Sequence, residues 1–126
     1  MRGMKNFYRK FERTDELFEF YWNLGALRLH YNVKQGTAVA EFATHTENAQ
    51  VTDPQLVSRL TNLDMLDCVR ERYSVAHFEL PVFSELLARC GVARLTYTFA
   101  LEMMSMYNTE DKLVLAHTRF EKDSLA

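Results

Sequence analysis

The sequence predicts an α+β domain, and three observations carry that prediction. Residues 14–24 place apolar side chains at helical spacing, residues 27–33 switch to strict alternation, and residues 93–122 hold alternating runs broken by a polar turn. At 126 residues, with 48% hydrophobic and 25% charged side chains, the chain has material for one core and reads as a single domain over residues 1–126.

Charge excludes some functions. Lys and Arg total 15 against 17 Asp and Glu, so no global basic field favours a phosphate backbone, and nucleic-acid binding is not expected. No apolar run approaches the ~20 residues that span a bilayer, and the start lacks the basic-then-apolar pattern of a signal peptide. A cytoplasmic protein without a membrane contact is the expectation. Cys68 and Cys90 lack CxxC spacing and no histidine pair has i, i+4 spacing, so neither a disulfide framework, a metal site nor a cofactor is expected.

Each element follows from local chemistry. Met4 to Arg13 is basic and aromatic (Phe7, Tyr8, Phe11) and reads as a half-buried edge strand. Thr14 serves as N-cap of a helix running to Leu24, with Leu17, Phe20, Tyr21 and Leu24 on one face and Gly25 as its stop. Leu27 to Val33 forms a strand, Lys34 to Thr37 a turn, and Ala38 to Thr46 the return strand. Centring the turn on Gln35-Gly36 sets Leu29 opposite Phe42, Tyr31 opposite Ala40 and His30 opposite Glu41. A polar stretch, His45 to Asp53, leads to a second helix with Asp53 as cap and Pro54 at N1. That helix runs to about Arg72, carries Leu56, Leu60, Leu63 and Met65 to Val69, and is the expected central helix.

Tyr73 to Leu80 reads as a strand, Ala93 to Met104 as one long strand, Asn108 to Asp111 as a turn and Lys112 to Lys122 as the last strand. Pro81 to Val92 admits two readings. As a helix stopped by Gly91 it makes the chain a strand-helix-hairpin unit used twice, an α+β barrel, and Asn23 to Val33 does resemble Arg89 to Phe99. As extended chain it leads into the long strand, giving helix, hairpin, long helix, then three or four antiparallel strands. The extended reading is preferred.

Several residues could carry chemistry. Asp64 is a carboxylate among Leu60, Leu63, Met65 and Leu66, where partial desolvation makes a better base, although with Asp67 and Glu71 it also fits a solvated helix face. His30 opposite Glu41, and His117 opposite Glu102 under a four-residue loop, would form oriented imidazoles or ordinary polar pairs. Trp22, with Phe18, Phe20 and Tyr21, offers the lining of an apolar ligand pocket. Met103, Met104 and Met106 make both faces of the long strand apolar, so a homodimer covering the second face is expected.

This order resembles the hotdog fold of the acyl-thioester hydrolases, a curved antiparallel sheet wrapped around one long helix. The residues that carry the resemblance are Glu85-Leu-Leu-Ala-Arg-Cys90, Arg94 to Glu102 and Asp111 to Ala116, similar to that family's closing strands and acidic turn. The resemblance implies an acyl-CoA or acyl-carrier ligand and a thioesterase in which Asp64 is the base and Asn48 orients the carbonyl. Pro54-Gln55-Leu56 stands where the family has His-Gly-Gly, so the N–H groups of Gln55 and Leu56 would polarise the carbonyl, Pro54 having none. Arg59 and Arg70 would take the phosphates of the carrier. The alternative from a different class is a small non-enzymatic interaction or regulatory protein that assembles through apolar sheet faces.

Overall fold

The computed structural model describes residues 7–8, 11–75 and 79–118, with backbone alone at 7–8, 70, 72–75 and 117–118. In chain order its elements are β1 (Phe7–Tyr8), α1 (Thr14–Asn23), β2 (Arg28–Asn32), β3 (Thr37–Glu41), β4 (Thr46–Gln50), α2 (Leu63–Val75), α3 (Leu80–Arg89), β5 (Arg94–Thr98), β6 (Met103–Tyr107) and β7 (Leu113–Thr118). The strands form one open sheet in the order β1-β4-β3-β2-β5-β6-β7, antiparallel throughout except for the parallel edge pair β1-β4. The α+β class and a dominant antiparallel sheet are therefore as the sequence predicts, and β1 takes the edge position expected of Met4 to Arg13.

Alternation builds the core. Leu29, Tyr31, Ala38, Ala40, Ala49, Leu95, Tyr97, Met104 and Met106 point to one face of the sheet and are buried there against Leu17, Phe18 and Tyr21 of α1, Leu66 and Val69 of α2, and Leu80, Phe83 and Leu87 of α3. All three helices thus pack on the same face. The other face carries the alternate residues, mostly half-buried, and no described helix covers it.

The architecture is an internal duplication with a spacing of 66 residues. Helix α1, Thr14–Asn23, recurs as α3, Leu80–Arg89. Strands Arg28–Asn32 and Thr37–Glu41 recur as Arg94–Thr98 and Met103–Tyr107. Hydrogen bonds repeat as well. Ala26 N–H donates to the Tyr21 carbonyl as Val92 N–H does to Leu87, and Leu27 N–H donates to Glu41 as Ala93 N–H does to Tyr107. Across the β2-β5 pair, Val33 N–H reaches the Ala93 carbonyl and Phe99 N–H reaches that of Leu27. Both helices end through a glycine at positive φ, Gly25 at +97° and Gly91 at +87°. The two α-β-β-β units are therefore related by a pseudo-twofold axis between β2 and β5, and the repeat seen in Asn23–Val33 and Arg89–Phe99 is its sequence trace. The sheet stays open and does not close into a barrel.

Several expectations are corrected. Pro81 to Val92 is helical through Arg89, because Phe83, Leu87 and Ala88 share a buried face with the Gly91 stop behind them. The expected strand Tyr73 to Leu80 divides between the end of α2 and the start of α3, with 76–78 outside the described residues. The long strand Ala93 to Met104 breaks into β5 and β6, as the chain reverses at Ala100–Glu102 with Glu102 at φ +51° and its N–H on the Phe99 carbonyl. That break leaves Met104 and Met106 in the core and Met103, with Ser105 and Tyr107, on the other face of β6, so the expected single long strand is two short ones.

The return strand stops at Glu41, and residues 46–50 of the polar stretch form β4. The β2-β3 register is two residues from the expected one: Leu29 pairs with Ala40, His30 with Val39 and Tyr31 with Ala38. A two-residue slip preserves faces, so the core assignments survive it. His117 pairs with Met104 rather than Glu102. Residues 119–122 of the last strand lie outside the described residues.

The second helix begins at Leu63, not at Pro54. Asn62 caps it, its Oδ1 accepting from Met65 N–H at 3.0 Å. Residues 51–62 instead form an irregular strap. Val51 and Thr52 donate to the Gly36 carbonyl, Gln55 to Lys34, Ser58 to Ala88 and Asn62 to Cys90. Their amides are thus committed to carbonyls far along the chain, which leaves no helical i−4 partner for them. A Cβ on Gly36 would lie 2.3 Å from the Thr52 carbonyl oxygen and one on Gly91 2.5 Å from that of Leu60, so the strap sits where only glycine lets it.

Candidate functional site

The uncovered face carries one continuous polar chain. Arg28 Nη1 donates to Glu41 Oε2 at 2.9 Å, and Glu41 Oε1 lies 3.1 Å from His30 Nε2. His30 Nδ1 is 2.9 Å from Thr96 Oγ1, which accepts from Arg94 Nη1 at 3.0 Å. Arg94 then donates to Asp111 Oδ1 at 2.7 Å and stacks 3.9 Å above the Tyr107 ring. One direction satisfies the row with neutral imidazole: Arg94 donates to Thr96, the Thr96 hydroxyl to His30, and His30 Nε2–H to Glu41. The His30 imidazole and then the Arg28 guanidinium hold the Glu41 carboxyl below its ordinary range.

The pairing of His30 with Glu41, expected as directly cross-strand, is present as a diagonal contact. Sequence reasoning missed Thr96 and Arg94, although the repeat that sets Arg94 against Arg28 and Thr96 against His30 held the signal. A hydroxyl, imidazole and carboxylate in series suggests acyl transfer. However, the amides of these central strands face ladder partners on both sides, so none is presented to a developing oxyanion beside Thr96.

The residues of the thioester expectation are dispersed. Asn48 is exposed on the uncovered face, opposite Val39. Asp64 is exposed in the first turn of α2, on the helix side, so the sheet lies between the two. Gln55 N–H is bound to Lys34, Leu56 projects outward at 96% exposed, and Arg59 is exposed on the strap. Arg70 lies in α2 with its side chain outside the described residues. Trp22 packs against Phe99 with tilted rings whose centroids are 5.3 Å apart, while Phe18 and Tyr21 are core.

A second cluster stands at the C-terminal end of α1. Trp22, Leu24 and Leu27 are 54%, 51% and 48% exposed, and Leu101, in the turn that follows Phe99, is 62% exposed. Among the described residues, no group of three or more His, Cys, Asp or Glu side chains is placed to hold a metal ion, and no helix is long and apolar enough to cross a membrane. No protein-family model and no curated protein matches the chain.

Proposed function

We propose that the protein is a small non-enzymatic interaction or regulatory protein. The observation that carries this reading is the apolar cluster at the end of α1: four large side chains that folding leaves about half in water, where burying what remains of each would contribute about 1 kcal/mol. Its apolar binding surface is thus at the helix end rather than on a sheet face, which is lined by Arg28, Glu41, His30, Thr96 and Arg94. These polar groups satisfy one another, as groups that hold three strands together do.

The competing reading, hydrolysis of an acyl thioester with Asp64 as base, has a direct test. The purified chain and its Asp64→Asn variant are offered short, long and aromatic acyl-CoA substrates while thiol release is followed. The expected result is no release above background from either protein. Turnover that falls about a hundredfold in the variant, the scale of a lost general base, would overturn the interaction reading.

A further inference from the structure

Residues 54–62 of the strap keep their place with little side-chain burial. No side chain among them is buried, Leu56 and Leu60 are 96% and 80% exposed, and Val57 is the one apolar side chain that packs against the core. Backbone bonds hold the segment instead: Gln55 N–H donates to the Lys34 carbonyl at 3.2 Å, Ser58 N–H to that of Ala88 at 2.9 Å and Asn62 N–H to that of Cys90 at 3.0 Å. The side-chain bonds of Ser58 stay within the segment, on the backbone of Leu60. Both ends are anchored. Val51 and Thr52 are buried with their amides on the Gly36 carbonyl, and beyond the segment Leu66 of α2 is buried in the core.

We propose that residues 54–62 are a latch that lifts as one unit while the sheet and the helices stay folded. Lifting breaks three long-range backbone bonds, each of modest net worth because water replaces the lost partner, and it returns backbone freedom to the whole segment. It takes one apolar side chain, Val57, off the core, and the helix end beneath it carries only the small side chains of Ala88 and Cys90. A segment with few apolar contacts and backbone bonds near solvent opens well below the free energy of global unfolding. The latch spans the duplication, from the β2-β3 turn of the first unit to the end of α3 in the second. Opening therefore bares the carbonyls of Lys34, Ala88 and Cys90 and releases a tie between the units. Closing depends on Gly91, where a Cβ would stand 2.5 Å from the Leu60 carbonyl oxygen.

The test is amide hydrogen exchange of the full chain, read residue by residue by NMR at urea concentrations below the unfolding transition. The reference amides are Val33 and Phe99, which bond across the two units, and Val92, which bonds to the Leu87 carbonyl at the end of α3. After correction for intrinsic rates, Gln55, Ser58 and Asn62 are expected to share one protection and to exchange about a hundredfold or more faster than the references. Their exchange should also respond weakly to urea, because the opening exposes little surface. Gly91→Ala clashes with Leu60 only when the latch is closed, so it should speed Ser58 and Asn62 over the parent. Gly25→Ala imposes the same left-handed backbone with nothing within 4 Å of its Cβ, and should leave them unchanged. Strap amides that exchange at the rate and urea dependence of the references would overturn the latch, since the segment would then open only with the whole domain. Three unrelated protections for Gln55, Ser58 and Asn62 would overturn it as well, because no single unit would lift.

Discussion

His30 joins three strands through two ring nitrogens, and the residues beside it fix what it can do. Its Nε2 contact and Arg28 both favour the ionised form of Glu41, so the folded-state value of that carboxyl is depressed. A depressed carboxyl contributes stability above its unfolded value, and that contribution is lost as pH falls through the folded value. Glu41→Gln should therefore be less stable than the parent at neutral pH, with the difference vanishing as pH is lowered through the carboxylate range. Urea unfolding at a series of pH values checks this. A difference that persists undiminished in acid would contradict it.

Tyr31 is the buried counterpart of that surface row. Its hydroxyl bonds to Ser84 inside the core, tying β2 to α3, and burial pushes its phenol well above the ordinary range. Tyr31→Phe leaves Ser84 short of this partner and should cost about 1–2 kcal/mol. Adding Ser84→Ala should cost less than the two single changes summed, because both ends of one bond are then gone. A double-mutant cycle by chemical denaturation measures the coupling.

At the scale of elements, the two helix stops give a matched pair. Gly25 and Gly91 share positive φ, yet a Cβ on Gly25 meets nothing within 4 Å whereas one on Gly91 meets the Leu60 backbone at 2.5 Å. Gly25→Ala should cost about 1–2 kcal/mol for the left-handed backbone alone. Gly91→Ala should cost clearly more, because the strap must also move, and unfolding curves for the two variants separate these causes.

The same strap explains where sequence reading stopped. Helix α1 with its Gly25 stop, the β2-β3 turn and the Asn108–Asp111 turn were legible because helical spacing, alternation and turn chemistry are local, although the N-cap of α1 is Arg13 and the expected cap Thr14 is the first helical residue. The irregular strap that replaces the helix expected from Pro54 was not legible, because its amides bond to carbonyls distant in sequence, those of Lys34 and Gly36 in the β2-β3 turn and of Ala88 and Cys90 in the other unit. The β5-β6 reversal carries no Gly, Pro or Asn, so alternation ran through it unmarked. Of the candidate site, His30 and Glu41 were visible as a pair and Trp22 as an apolar contact. Thr96, Arg94 and the exposed end of α1 needed the topology.

For the whole molecule, the pseudo-twofold axis decides most of the account. Two copies of one α-β-β-β unit share a core on one side of an open sheet, and among the described residues the strap covers the end of α3 while none is hydrogen-bonded over the end of α1. That difference sets Leu24 in water and Cys90 in the core, and leads to the claim that Trp22, Leu24 and Leu27 are kept for a partner rather than for folding. The direct test is urea unfolding of Leu24→Lys against the parent, with lysine chosen because a cation at a helix C-terminus is not penalised. Stability within about 0.5 kcal/mol of the parent is expected, as for a surface substitution. A loss of about 2 kcal/mol or more, the scale of a core truncation, would show that the end of α1 is covered by the chain's own folding and would contradict the claim.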